Sequence, residues 1–122
     1  MGPAAAHQWV VADSGQVLVA QLRIADTFWL RFKGLQLRGP LEPGEGLLLT
    51  PCRSIHTHWM RFAIDAALLD QDGLVLRKLS AVPPWRIPPR VAGVRAVVET
   101  VAGGLAELDE GVSTRVVGRS GE

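Results

Sequence analysis

Short apolar runs alternate with turn-forming residues along the whole chain, a pattern that is more typical of strands than of helices. Gly73 ends the turn "DQDG" between two such runs, and it can adopt the positive φ that a tight hairpin requires. The pattern predicts a mainly β protein with strands at 9–12, 17–24, 46–50, 55–60, 64–70, 74–82, 95–101 and 114–117.

Helical spacing appears in two places. The segment 25–35 has Asp26 or Thr27 as an N-cap and stops at Gly34, and the segment 102–111 ends at Gly111. Between the last strands, four prolines within 82–89 exclude both a helix and a central strand. We therefore expect a single-domain jelly-roll-like β-sandwich or a partly closed barrel with two short helices. The expected boundaries are a disordered N-terminus at 1–8, a β domain at 9–118 and a C-terminal tail at 119–122.

Composition narrows the class of protein. The chain has 122 residues, of which 48% are hydrophobic and 20% charged, as in a compact globular domain. A net charge of +1 without long charge runs gives no electrostatic case for nucleic acid or an anionic membrane, and no apolar run approaches the length of a membrane span. The single cysteine, Cys52, cannot form an intramolecular disulfide, so we expect a cytoplasmic protein. Export after removal of a signal peptide stays an alternative.

An ordered set of short motifs gives a family resemblance over about residues 15–118. The positions that carry it are Ala25, Asp26, Thr27, Arg31, Gly34, Leu35, Gly46, Leu47, Leu48, His56, Thr57, Met60, Ile64, Asp65, Asp70, Gly73, Gly103 and Gly104. In these positions the chain resembles the bacterial and archaeal family catalogued as domain of unknown function 192. That resemblance implies a small, mostly β domain of jelly-roll type, and it implies no established activity.

The stretch around Cys52, His56 and His58 concentrates the chain's candidate chemistry. If 53–60 is a strand, His56 and His58 point to the same side and could present two nitrogens to a metal ion, with Cys52 as a third ligand. The spacing lacks the C-x-x-C or H-x3-H pairs of structural zinc sites. The family resemblance also implies that members usually carry a large apolar or aromatic residue in place of His58. We therefore expect no bound metal or other cofactor.

Cys52 could instead act as a nucleophile with His56 as its base and Asp65 orienting the ring. In an extended chain the α-carbons of Cys52 and His56 would be about 13 Å apart, so this role needs a bend. A third alternative is a buried polar network in which Asp65 accepts hydrogen bonds from Thr57, His56 or nearby backbone.

Aromatic and arginine side chains near these residues favour a binding surface, because this combination is enriched at binding hot spots. We interpret the chain as a ligand- or partner-binding module, with a small molecule or a protein as its partner. A small metal- or thiol-dependent enzyme using Cys52, His56 and His58 is the alternative, and an accessory subunit of an export or surface assembly is a further one. The candidate binding residues are His56, Thr57, Asp65, Trp59, Arg61, Trp85 and Arg86.

Overall fold

The computed structural model describes residues 7–26, 41–58 and 60–118. Seven of the eight predicted strands are present, with bounds that differ by one or two residues from the predicted ones. The first predicted helix lies outside the described residues from position 27 onward. The strands are β1 (His7–Val11), β2 (Val17–Ala25), β3 (Glu45–Leu49), β4 (Ile64–Leu69), β5 (Val75–Val82), β6 (Ala96–Val101) and β7 (Thr114–Gly118).

All seven strands belong to one sheet in the order β5-β4-β6-β3-β2-β1-β7. The prediction of a mainly β protein is confirmed. Neighbouring strands are antiparallel except β2 and β3, which are parallel. The sheet is not closed into a barrel, because in the described part of the chain its edge strands β5 and β7 do not pair with each other. An isolated bridge joins Leu74 and Ser113, the residues just before those two strands.

The prediction of a second helix at 102–111 is wrong. Successive turns replace it: the N–H groups of Gly104, Ala106 and Leu108 each donate to the carbonyl three residues earlier. Gly103 has a φ of 88°, which interrupts helical geometry, and a Cβ on Gly104 would lie 2.6 Å from the Thr100 hydroxyl. These turns therefore pack closely against the sheet. No helix among the described residues is long and apolar enough to cross a membrane.

The predicted strand 55–60 is also wrong, and the sheet order explains why. Because β3 and β4 lie on either side of β6 and are both antiparallel to it, the chain between them must cross one face of the sheet. The chain between β5 and β6 must cross for the same reason, since β4 separates those strands. We call residues 50–63 the first crossing segment and residues 83–95 the second.

Both crossing segments cover the same face, which we call the Glu99 face. Cys52 and Ile55 from the first segment and Val91 and Val94 from the second pack against one apolar cluster there. The sheet contributes Leu49, Ala66, Leu68 and Val97 to this cluster, and a smaller cluster of Leu41, Met60 and Ile64 continues it toward the start of β4.

The opposite face, which we call the Asp65 face, carries a larger apolar core. The turns after β6 cover it by burying Leu105 and Leu108. Strand alternation places the odd residues of β4 on this face and the even ones on the Glu99 face. The buried core residues of the Asp65 face are Trp9, Val19, Leu22, Leu48, Ala67, Leu69, Val75, Val98, Leu105 and Leu108.

Candidate functional site

Thr57 joins the two crossing segments. Its side chain is fully buried, and its hydroxyl donates to the Pro83 carbonyl at 2.7 Å while accepting the Arg86 N–H at 2.8 Å. Its backbone N–H donates to the Arg86 carbonyl at 2.9 Å, and its carbonyl accepts the Trp85 N–H at 3.0 Å. One threonine thus satisfies the backbone of a proline-rich loop that has no strand partner, which fixes the position of residues 83–86.

These hydrogen bonds of Thr57 hold Trp85 on the outside of the loop. It has a φ of 65°, a left-handed conformation that is uncommon for a bulky residue, and its side chain is 52% exposed. Ile87, two residues later, is 72% exposed. Two large apolar side chains therefore lie on the outside of the same loop, which is the opposite of what stability alone favours.

His56 and His58 come together beside Trp85, although not by strand alternation. The His56 and His58 ring centroids are 4.8 Å apart, and the His58 and Trp85 centroids are 5.2 Å apart. A turn at His58 produces this arrangement, and the His58 N–H donates to His56 Nδ1 at 3.2 Å. The three rings form a continuous aromatic surface, with His56 and Trp85 exposed and His58 half-buried.

Asp65 does not belong to this surface. It projects from the other face of the sheet, where its carboxylate accepts the Ala81 N–H at 2.8 Å and the Leu105 N–H at 3.1 Å. Ile64 pairs with Val82 and Ala66 with Leu79, so two residues of β5 lie opposite Asp65 in a bulge. The carboxylate bonds to an N–H inside this bulge and to the covering turn, as the hypothesis of a network with nearby backbone describes.

Cys52 is half-buried, and its thiol donates to the Ser54 carbonyl at 3.2 Å. Its backbone N–H donates to the Arg95 carbonyl, which places it near the start of β6. Among the described residues, no group of three or more histidine, cysteine, aspartate or glutamate side chains could hold a metal ion. The structure therefore brings His56 and His58 together without adding Cys52 as a third ligand.

The predicted arginines lie on the crossing segments, where Arg61 and Arg86 are both exposed. The Arg86 guanidinium donates to the Pro84 carbonyl at 3.4 Å, within its own loop. Trp59, the remaining predicted binding residue, lies outside the described residues.

Glu99 is a buried carboxyl that the sequence reasoning missed. It lies on central strand β6 between Leu47 and Ala66 of the neighbouring strands, beneath the crossing segments. Its side chain is 2% exposed, and Oε1 has no hydrogen-bond partner in the described part of the chain. Burial raises its pKa to about 8, so the carboxyl holds its proton at neutral pH. A lone glutamate in the apolar run "VVETV" was the signal that could have identified it.

Comparison with known families settles the relationship of this chain. The model of the family described as "Uncharacterized ACR", domain of unknown function 192, matches residues 9–117. The chain belongs to this family. A UPF0127 protein of Thermococcus sibiricus is 30% identical over 109 residues, which cover 84% of this chain and 68% of the relative. The family predicted from the ordered motifs is thus confirmed.

Two solved structures share the fold of this family member. A protein of unknown function from Novosphingobium aromaticivorans has a TM-score of 0.75 at 21% identity, covering 92% of this chain and 84% of that one. A protein from Sinorhizobium meliloti, described as a proposed transcription regulator, has a TM-score of 0.75 at 19% identity, covering 95% and 94%. At these identities the likeness shows the fold alone.

Proposed function

We propose that this member of domain of unknown function 192 is a binding module that contacts its ligand or partner through His56, His58 and Trp85. The observation that carries the proposal is the exposed, left-handed Trp85, which Thr57 holds beside the histidine pair. A conformation of this kind costs on the order of 1 to 3 kcal/mol and persists only where surrounding contacts enforce it.

The contacts around Trp85 are arranged to present a side chain rather than to bury one. Thr57 uses its hydroxyl, its N–H and its carbonyl on residues 83–86, so the loop is rigid before any ligand arrives. A preformed aromatic surface loses little conformational entropy on binding, and tryptophan is the residue type most enriched among binding hot spots. These features support a recognition role for the surface.

Thiol chemistry has weaker support than binding. The Cys52 thiol donates to a backbone carbonyl, and His56 Nδ1 accepts the His58 N–H. A nucleophilic cysteine needs a base that takes its proton. Here the proton and the candidate base are each engaged with neighbouring backbone, an arrangement that serves loop structure.

The experiment is a two-dimensional ¹H–¹⁵N NMR screen of the protein against a library of small molecules and short peptides. We expect a binder to shift the resonances of His58 and Trp85 in the wild type and to lose its effect in Trp85→Ala. Val116→Ala is the matched control, because Val116 is a 38% exposed apolar residue on β7, far along the sheet order. Binders that shift β7 instead, or that survive Trp85→Ala, would contradict the proposal.

A further inference from the structure

The two crossing segments carry an uneven distribution of charge. Arg53, Arg61, Arg86, Arg90 and Arg95 all lie on them and are all exposed. The sequence has no aspartate or glutamate from 46 to 64 and none from 73 to 98. A chain whose net charge is only +1 therefore concentrates positive charge on the segments that hold Trp85.

In the part of the chain that the structure describes, none of these five arginines forms an ion pair. Within residues 7–26, 41–58 and 60–118, the salt bridge present joins Arg77 to Glu110, away from the crossing segments. The Arg86 and Arg95 guanidinium groups donate to the carbonyls of Pro84 and Val94, their own local backbone. Guanidinium groups that have no carboxylate are suited to bind carboxylates in bidentate fashion.

The apolar side chains among these arginines indicate whether the anionic ligand is a small molecule or a macromolecule. Small-molecule sites bury most of their ligand in a cleft. Trp85 and Ile87 instead expose 52% and 72% of their surface on the outside of a loop, as anchor residues of a protein interface do. Nucleic acid is disfavoured because the chain as a whole has a pI near 8.0, below that of typical nucleic-acid-binding domains.

We propose that the surface of His56, His58 and Trp85, with the arginines of the crossing segments, binds an acidic segment of a partner protein. The segment would place apolar side chains on Trp85 and Ile87 and carboxylates on the arginines. This inference rests on the proposed function of the same surface and adds the chemistry of its partner.

The test uses two fluorescein-labelled ten-residue peptides, one of alternating Glu and Leu and one of alternating Lys and Leu, with fluorescence anisotropy as the readout. We expect the acidic peptide to bind and the basic one not to. Arg86→Glu should weaken binding about tenfold, and added salt should weaken it further. Arg115→Glu is the matched control: it makes the same charge change at an exposed arginine on β7, and binding should stay within about twofold of wild type.

Several results would overturn the inference. These are equal binding of both peptides, binding of neither, equal loss in both arginine variants, or a preference for a duplex oligonucleotide or for anionic vesicles over the acidic peptide. A ligand from the screen whose binding requires Trp85 but is unchanged by Arg86→Glu would contradict an acidic partner and would still support the proposed binding surface. Acidic-peptide binding that is unchanged in Trp85→Ala would count against the binding surface itself.

Discussion

The two faces of the sheet each bury one carboxyl, and they treat it in opposite ways. On one face, both oxygens of Asp65 accept backbone N–H groups, from Ala81 and from Leu105. On the other, Oε1 of Glu99 has no partner among the described residues, and burial alone raises the pKa to about 8.

The comparison shows which buried carboxyl stabilises the fold and which one lowers its stability. Asp65 ties three pieces of chain together: β4, the bulge in β5 and the turn after β6. In the described part of the chain no hydrogen bond holds Oε1 of Glu99, yet the residue lies in the middle of the interior strand β6, where an apolar residue would pack better. The face with the unfavourable carboxyl is also the face whose cover presents Trp85 and the arginines. The unpaired oxygen of Glu99, the left-handed Trp85 and the exposed arginines therefore lie on the same side of the sheet.

Asp65→Asn should produce the largest loss of stability. The substitution keeps the shape but puts an NH₂ group opposite one of the two backbone N–H donors. That N–H and the new NH₂ group are then both unpaired in a buried site. We expect the free energy of unfolding to fall by about 4 kcal/mol in chemical denaturation. Asp72→Asn, at an exposed position of the adjoining turn, is the control and should change little. Equal unfolding midpoints for the two variants would remove the distinction between the faces.

Glu99→Gln should act in the opposite direction and depend on pH. The folded-state pKa of Glu99, about 8, lies above its ordinary value of 4.5, so the unfolded chain ionises first as pH rises. Wild-type stability should therefore fall from pH 4.5 to pH 8 at up to about 1.4 kcal/mol per pH unit and stay level above. Glutamine does not titrate, so the variant should gain about 3 kcal/mol on the wild type between pH 5 and pH 8.

The measurement is urea unfolding of both proteins at pH 5, 6, 7 and 8. Glu107→Gln, at an exposed position in the turns after β6, is the matched control and should run parallel to the wild type. A Glu99→Gln profile that also parallels the wild type would show that the buried carboxyl is ionised in the folded protein.

Thr57→Val tests the cover of the Glu99 face. Valine keeps the shape but leaves the Pro83 carbonyl and the Arg86 N–H without the hydroxyl, which should cost about 1 to 2 kcal/mol. Thr114→Val is a control of the same kind, because the buried Thr114 hydroxyl donates to the Gly73 carbonyl at the far edge of the sheet. Both variants should lose stability, but only Thr57→Val should move the backbone resonances of Trp85. Unchanged Trp85 resonances would mean that another contact holds the loop.

Much of this fold was predictable from local pattern, and the failures have one cause. The seven strands coincide with short apolar runs bounded by turn residues, which are properties of neighbouring positions. The same reasoning predicts a strand at 55–60, yet this segment crosses the sheet because β6 inserts between β3 and β4. That insertion is set by pairings between residues distant in sequence, which no local pattern contains. The helix predicted at 102–111 is replaced by turns in which Gly104 lies so close to the end of β6 that a Cβ would be 2.6 Å from the Thr100 hydroxyl.

The candidate site was predicted in part for the same reason. His56 and His58 do lie together, beside Trp85, but a turn at His58 and the hydrogen bonds of Thr57 bring these rings together instead of a shared strand face. Asp65 was grouped with them because it is close in sequence, and one step of strand alternation places it on the other face. Glu99 was overlooked although it lies alone in the apolar run "VVETV", because the run does not show that the crossing segments cover that face of β6.

Trp85→Gly should have the smallest effect on stability and is the sharpest test of what the strained loop is for. At a φ of 65°, tryptophan carries a conformational cost of about 1 to 2 kcal/mol that glycine does not. Glycine gives up the ring contact with His58, about 1 kcal/mol, and makes the unfolded chain more flexible, so the net change should be within about 1 kcal/mol of zero. Trp85→Ala loses the same ring and keeps the strain, so it should be less stable than Trp85→Gly by about 1 kcal/mol. Thermal melts of the two variants measure this order, and both should lose acidic-peptide binding equally. If alanine were the more stable of the two, the left-handed conformation would carry no strain, and strain would no longer support a recognition role for Trp85.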